Sequence, residues 1–439
     1  MRMVELGRCK PDERRALLTR SEIRVSSVVP SVMKIVEEVR RRGDAALLEF
    51  TSKFDGVSMR RDQIRVSERE INEAVSALPR RTLRALGSLA RSIREFHRRQ
   101  LPRSWFVEIS EGVRAGQVVR PIESAGVYVP GGEASYPSTL LMAAVPAKIA
   151  GVSRVIVCTP PKRDGTVNPA VLAAAKIAGV DSVFRVGGAQ AIAAMAYGTE
   201  SIPRVEKIVG PGNIYVTAAK RLLSSVVEMD FEAGPSEILI VADESANPKH
   251  IAADLISQAE HDVEAACVLV TPSKELALAV KREIETLLPL IPRSKIASAS
   301  LSKNGLIVLT ENLHEAIDFA NEYAPEHFQL VVRNPRKYLR LVKNAGAVFM
   351  GYLTPVALGD LAAGPNHILP TGGRARVRSG LSVLDFLKMP TVLEVGRKGL
   401  LRLSSTVREL SKIEGLEAHS LSVSVRLQRG REYGDRDSE

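Results

Sequence analysis

Apolar positions along this chain fall into two textures. Between residues 30 and 100 they recur at helical spacing: Val32, Ile35, Val36 and Val39, then Leu47, Leu48 and Phe50, then Ile71, Val75, Leu78, Leu83, Leu86, Leu89 and Ile93. A period of three to four predicts amphipathic helices. From about residue 115 short β-branched runs (GVYVP, RVIVCTP, SVFRVGG, RVEKIVGPG, EILIVAD) alternate with Ala-rich helical stretches near 137–150, 168–179, 189–198 and 213–225. The alternation resumes with ACVLVTP, GLIVLT, FQLVV and AGAVFM, separated by helices near 248–261, 273–288, 312–322 and 335–343. Strand, helix, strand at this spacing means parallel sheets with crossover helices. Beyond about 380 the strand pattern fades, a helical segment is expected near 405–416, and the polar end RGREYGDRDSE is expected to fray.

The expected fold is α/β: two doubly wound, incomplete Rossmann-like parallel-sheet domains, a helical N-terminal segment and a small C-terminal tail domain. The expected divisions are an N-terminal segment 1–29, a first α/β domain made of 30–127 plus 236–380, a second of 128–235, and a tail 381–439. The two blocks are similar in length, which suggests duplication, although no repeat is visible residue by residue.

Composition narrows the class. The length of 439 residues suits two or three domains. Hydrophobic residues at 45% and charged residues at 25% are ordinary for globular chains, which excludes disordered and collagen-like readings. No apolar run approaches the roughly 18 residues of a membrane helix, and the opening MRMVELGRCK has no apolar signal core. Cys9, Cys158 and Cys267 are scattered and odd in number, which reads as a reduced, cytoplasmic chain. The net charge of +11, from 61 Lys and Arg against 50 Asp and Glu, raises the question of nucleic acid. The Arg clusters at 40–42, 60–61 and 98–99 fall on polar helix faces interleaved with Glu, and aromatics are only 4%, so a solvated basic surface is expected and no nucleic-acid partner.

Several segments could carry chemistry. The fingerprint GxGxxG is absent. In its place Tyr128-Val129-Pro130-Gly131-Gly132, Val186-Gly187-Gly188-Ala189-Gln190 and Gly210-Pro211-Gly212-Asn213 each close a β-run and open a helix. One such turn is often a mere connection; three in one block favour a nucleotide or phosphate at the strand ends. Gln258 and His261 share a helix face at i, i+3, and could be a metal-binding pair or a satisfied polar pair. Glu326 and His327 put an acid and a base at the entry to a strand, where an imidazole could abstract an alcohol proton, or where both could simply be exposed. The stretch 358–373 is rich in Gly, Pro and Asn and embeds Asp360 and His367; a loop this long inside a domain is usually functional. His419 follows Glu414 near the end, whereas His97, His250 and His314 read as helix-surface residues.

Together these segments resemble the histidinol dehydrogenase family. The resemblance runs from VRRRGDAALLEFTSKFD to EGLEAHS, and its most specific stretch is MDFEAGPSEILIVADESANPKHIAADLISQAEH. YVPGG-x-A-x-YPSTLLMAAVPAKIAGV, GPGNIYV-x-x-AK, YAPEH and GPNHILPTGG are further family-like blocks; Met229, where the family usually has Ile, is a small departure at a packing position. The resemblance implies a four-electron oxidation of L-histidinol through L-histidinal to L-histidine, with two NAD⁺ reduced. It implies one Zn²⁺ per subunit, held by Gln258, His261, Asp360 and His419, that orients the substrate and has no redox states to offer. His327 matches the family's general base and Glu326 its water-activating residue. Ser236, His367 and Glu414 match substrate contacts, which the metal ligands and His327 join. Tyr128, Gln190 and Asn213 match NAD contacts. Glu414 and His419 match residues that reach the partner's site, which implies a homodimer with shared active sites. Two other classes compete. A periplasmic-type metal-binding protein would need a signal peptide, and a nucleic-acid-binding protein would not need the QAEH and PEH blocks.

Overall fold

In a computed structural model of the chain, residues 1–18, 25–131, 136–231 and 234–428 are described. Gly132 of the first Gly-rich turn, Glu232 and Ala233 of the acidic signature turn, and the polar end 429–439 lie outside the described residues.

Contacts divide the chain into two units. One comprises Met1–Gln100 with Ile122–Phe386; the other comprises Leu101–Pro121 with Leu387–Glu439. The first holds two all-parallel sheets. In the five-stranded sheet the spatial order is Ser182–Arg185, Arg154–Thr159, Ser124–Tyr128, Lys207–Val209, Glu228–Met229. In the six-stranded sheet it is Arg2–Glu5, Gly305–Leu309, Ala266–Thr271, Glu237–Ala242, His327–Val331, Ala347–Met350. Apart from the edge strand Arg2–Glu5, both run third, second, first, fourth, fifth in chain order. This is the doubly wound pattern, with a switch point beside the first strand of each sheet. The shared order supports in topology the duplication that the sequence hides.

The central strands Glu237–Ala242 and Ala266–Thr271 are buried along their whole length. That is why they read as continuous β-branched runs without polar alternation. Ile238, Ile240, Cys267 and Leu269 face the helices Pro248–Ala259 and Lys274–Leu287. Leu239, Val241, Val268 and Val270 face the helix Leu313–Tyr323 on the other side. Helix starts are written locally: Asn168, Asn213, Asn247 and Asn312 each accept a backbone N–H at a helix N-terminus.

The packing divides the chain differently from the sequence expectation. Val32, Ile35, Val36, Leu47 and Phe50 pack with Tyr128, Ile156 and Phe184, so the helices Val29–Arg42 and Asp44–Asp55 cover the five-stranded sheet. The sequence grouping of 30–127 with 236–380 had put them with the other one. Within the expected N-terminal segment, Arg2–Glu5 is a strand of the six-stranded sheet. In the second unit, Trp105–Ser110, Val113–Gln117 and Thr391–Val395 form an antiparallel sheet, followed by the helices Arg397–Glu414 and Glu417–Leu427. The strand pattern therefore does not end at 380, and EGLEAHS leads into a helix. Among the described residues no helix is long and apolar enough to cross a membrane.

Candidate active site

His327 and Glu237 are the first residues of neighbouring parallel strands, so both stand at the amino edge of the six-stranded sheet. Nδ1 of His327 lies 2.9 Å from the Glu237 carbonyl oxygen. A carbonyl only accepts, so Nδ1 carries the proton and donates it there. Nε2 is buried without a hydrogen-bond partner and faces Asp360 Oδ1 at 3.6 Å. Glu326 Oε2 accepts the Glu237 N–H at 2.7 Å and sits 3.4 Å from Nδ1. Burial disfavours an imidazolium here, but the flanking Glu326 and Asp360 carboxylates outweigh it and hold His327 well above the usual imidazole range. Burial pushes the Asp360 carboxyl up, and the nearby His327, His367 and His261 more than reverse this.

The stretch expected as a long loop begins with a helical turn, Val356–Leu358, and a π-helical turn, Gly359–Ala363, that carries Asp360. His367 is held from two sides: Nδ1 lies 2.9 Å from the Asp360 carbonyl, and Nε2 lies 3.1 Å from Thr139 Oγ1. Thr139 belongs to the helix Pro137–Ala150, which follows the first strand of the five-stranded sheet. His97 is buried, not on the helix surface as the sequence suggested. Its Nε2 lies 3.3 Å from Asn366 Nδ2, and Asn366 donates to the Met142 carbonyl at 2.7 Å. The pair braces the loop that carries His367. Burial lowers both His97 and His367 below the usual imidazole range.

The three Gly-rich turns meet at the carboxyl edge of the five-stranded sheet. Tyr128 ends its first strand, and its hydroxyl accepts the Gly188 N–H at 3.1 Å. Gln190 is buried two residues on. Gly210 has φ +112, and a Cβ there would collide with the Tyr128 carbonyl, so only glycine lets these strand ends approach. Lys220 clamps the same turn. Its Nζ donates to the Gly210 carbonyl at 2.5 Å and to Asp230 Oδ1 at 2.6 Å, while Asp230 Oδ2 accepts the Gly210 N–H at 2.7 Å. Asn213 spends its Oδ1 on capping the helix Ile214–Leu223, which leaves its amide N–H groups for another partner.

The comparisons with known proteins agree with one another. The family model described as Histidinol dehydrogenase matches residues 18–427. The chain belongs to the histidinol dehydrogenase family. The histidinol dehydrogenase of Methanothermobacter thermautotrophicus is 51% identical over 94% of this chain and 96% of its own. That of Methanopyrus kandleri is 50% identical over 96% and 99%. A solved histidinol dehydrogenase from Elizabethkingia anophelis superposes with a TM-score of 0.94, at 37% identity, over 98% of both chains. Membership in the histidinol dehydrogenase family makes the chain an oxidoreductase of histidine biosynthesis that acts on a small molecule, histidinol.

Of the residues expected in a histidinol dehydrogenase site, the fold gathers Glu326, His327, Asp360 and His367 within hydrogen-bonding or ion-pairing reach of one another. His261 follows the helix that carries Gln258, its N–H bonded to the Gln258 carbonyl, and its charge reaches Asp360. Gln258 is buried, and its amide has no hydrogen-bonded partner among the described residues. Ser236 precedes Glu237 and is half-buried. Glu414 and His419 lie exposed in the second unit, on or beside its two helices. Sequence reasoning missed Thr139, His97 and Asn366; GPNH and YPST were quoted as blocks, but nothing in spacing tells which members brace the others.

Proposed function

We propose that this amino edge oxidises histidinol to histidine in two steps, with NAD⁺ bound at the carboxyl edge of the five-stranded sheet and a divalent cation, Zn²⁺, held by Gln258, His261, Asp360 and His419. The observation that carries the reading is the orphaned Nε2 of His327: a buried imidazole, tautomer fixed by the Glu237 carbonyl, whose second nitrogen has no hydrogen-bond partner. Such a nitrogen is placed to take a proton from an alcohol. The donor set suits a borderline cation, since it offers oxygen and imidazole nitrogen and no thiolate. Among the described residues no three His, Cys, Asp or Glu side chains gather closely enough to hold a metal by themselves, so the set depends on the Gln258 amide and on His419.

A cation held by Gln258, His261, Asp360 and His419 would supply a positive charge that orients the substrate and offsets the Asp360 charge beside Nε2. Tyr128, Gln190 and Asn213 would hold the dinucleotide, which would supply the hydride acceptor for each step. The residues of the chain do the rest. His327 takes the hydroxyl proton of histidinol in the first step and of the hydrated aldehyde in the second. Glu326, 3.4 Å from the imidazole, activates the water that hydrates the aldehyde. Ser236, His367 and Glu414 hold the substrate.

A second copy of the chain completes the site. The second unit exposes Trp105, Ile109, Leu393, Ile413 and Leu421, an apolar surface of the kind a partner covers. A homodimer that covers this surface and brings Glu414 and His419 to the partner's site accounts for both. The chain acts in the cytoplasm in this reading. The test is NADH formation from L-histidinol before and after exhaustive chelation. Turnover disappears on chelation and returns with Zn²⁺; full activity in metal-free protein contradicts the metal assignment.

A further inference from the structure

Asp55 is the last residue of the helix Asp44–Asp55. Its carboxylate has no hydrogen-bond or ion-pair partner among the described residues, and Oδ2 is fully enclosed. Burial pushes the carboxyl up to about 6. Two neighbours locate it. The phenol of Tyr128 is pushed up to about 12, first by burial and then in part by the charge of Asp55. Two residues on, buried Val57 lies against Gly165, in the loop that follows the strand Arg154–Thr159. The acid thus stands beside the carboxyl end of the first strand of the five-stranded sheet and near the loop that follows the second.

Dinucleotide-binding sheets place an acid near the end of the second strand, where it takes the ribose hydroxyls. Here that strand ends in Cys158-Thr159-Pro160-Pro161 and offers none. The next acid, Asp164, is already engaged: it accepts from the Thr166 hydroxyl and N–H and pairs with Lys162. A half-buried carboxylate with one enclosed, unpartnered oxygen costs stability, and a vicinal diol would supply the two donors it lacks. The carbonyl end of the helix adds negative potential at the same place, which disfavours a phosphate. Resting on the reading that this edge holds the dinucleotide, we propose that Asp55 accepts the two hydroxyls of the adenosine ribose and thereby rejects a dinucleotide that bears a 2′-phosphate.

The experiment compares wild type with Asp55→Asn and Asp55→Ser in steady-state assays with NAD⁺ and NADP⁺, using Gln190→Ala and Asn213→Ala as references for the edge itself. Loss of a hydrogen bond to a charged group raises KM for NAD⁺ about tenfold to a hundredfold. KM for histidinol moves little, kcat falls far less than kcat/KM for NAD⁺, and the ratio of NADP⁺ to NAD⁺ efficiency rises at least about tenfold, most in Asp55→Ser. Asp55→Asn removes a half-buried, unpaired charge, so its melting temperature holds or rises; a residue that merely supports the fold would lower it. If the two reference variants raise KM for NAD⁺ and the Asp55 variants do not, the Asp55 assignment fails and the cofactor edge stands. If none of the four raises it, the cofactor edge itself fails. A higher KM for NAD⁺ without any gain for NADP⁺ overturns the ribose assignment.

Discussion

His327 is useful because one of its nitrogens is spoken for. The Glu237 carbonyl occupies Nδ1, so all proton traffic passes through Nε2. His327→Asn therefore slows both oxidations by about 10²- to 10⁴-fold, the ordinary worth of a positioned base; stopped-flow NADH formation from histidinol and from histidinal measures each step. Glu326→Gln spares histidinol oxidation more than histidinal oxidation, because only the second step needs water. Equal damage to both means that Glu326 only positions the imidazole through its bond to the Glu237 N–H. Asp55 gives a pH prediction. Its folded-state pKa of about 6 lies above the ordinary carboxyl value of about 3.9. The fold binds that proton more tightly than the unfolded chain does, so stability falls as pH rises between about 4 and about 6. Thermal melts of wild type and Asp55→Asn should coincide near pH 4 and separate above about pH 6, the variant melting higher. The residues proposed to touch substrate or metal were legible because their blocks are family-like. His97, Thr139 and Asp55 were not, since a buried brace and a surface polar residue share one identity until packing separates them.

At the level of elements, the central strands were legible because full burial leaves no polar alternation. The antiparallel strands of the second unit were not. Trp105–Ser110 and Thr391–Val395 are mostly exposed and each carries a charge among its apolar residues; the first pairs locally with Val113–Gln117, but Thr391–Val395 reaches that same strand from hundreds of residues away. Nor does the sequence tell which edge of a sheet is used. The candidate catalytic residues sit at the amino edge of one sheet and the candidate cofactor residues at the carboxyl edge of the other, linked by the bond between Thr139 and His367. The clamp of Lys220 on Asp230 and Gly210 holds the carboxyl edge of the five-stranded sheet. Lys220→Met leaves the buried Asp230 carboxylate unpaired and should cost about 3–5 kcal/mol in urea unfolding. Adding Asp230→Asn should recover part of the loss, because the uncompensated charge is gone.

At the scale of the whole molecule, one chain supplies His261, Asp360 and the Gln258 amide at the six-stranded sheet, while His419 stands exposed on a helix of the second unit. A site shared between two copies makes sense of that arrangement and of the apolar surface beside it. The most direct test mixes two lesions. A His327→Asn chain and a His419→Asn chain, each inactive alone, are unfolded and refolded together. If His419 acts on the partner's site, one site of each mixed dimer receives an intact His327 and an intact His419. Random pairing then restores about a quarter of wild-type activity. If His419 acts within its own chain, every site in a mixed dimer carries one lesion. A refolded mixture that contains mixed dimers and remains inactive contradicts the shared site.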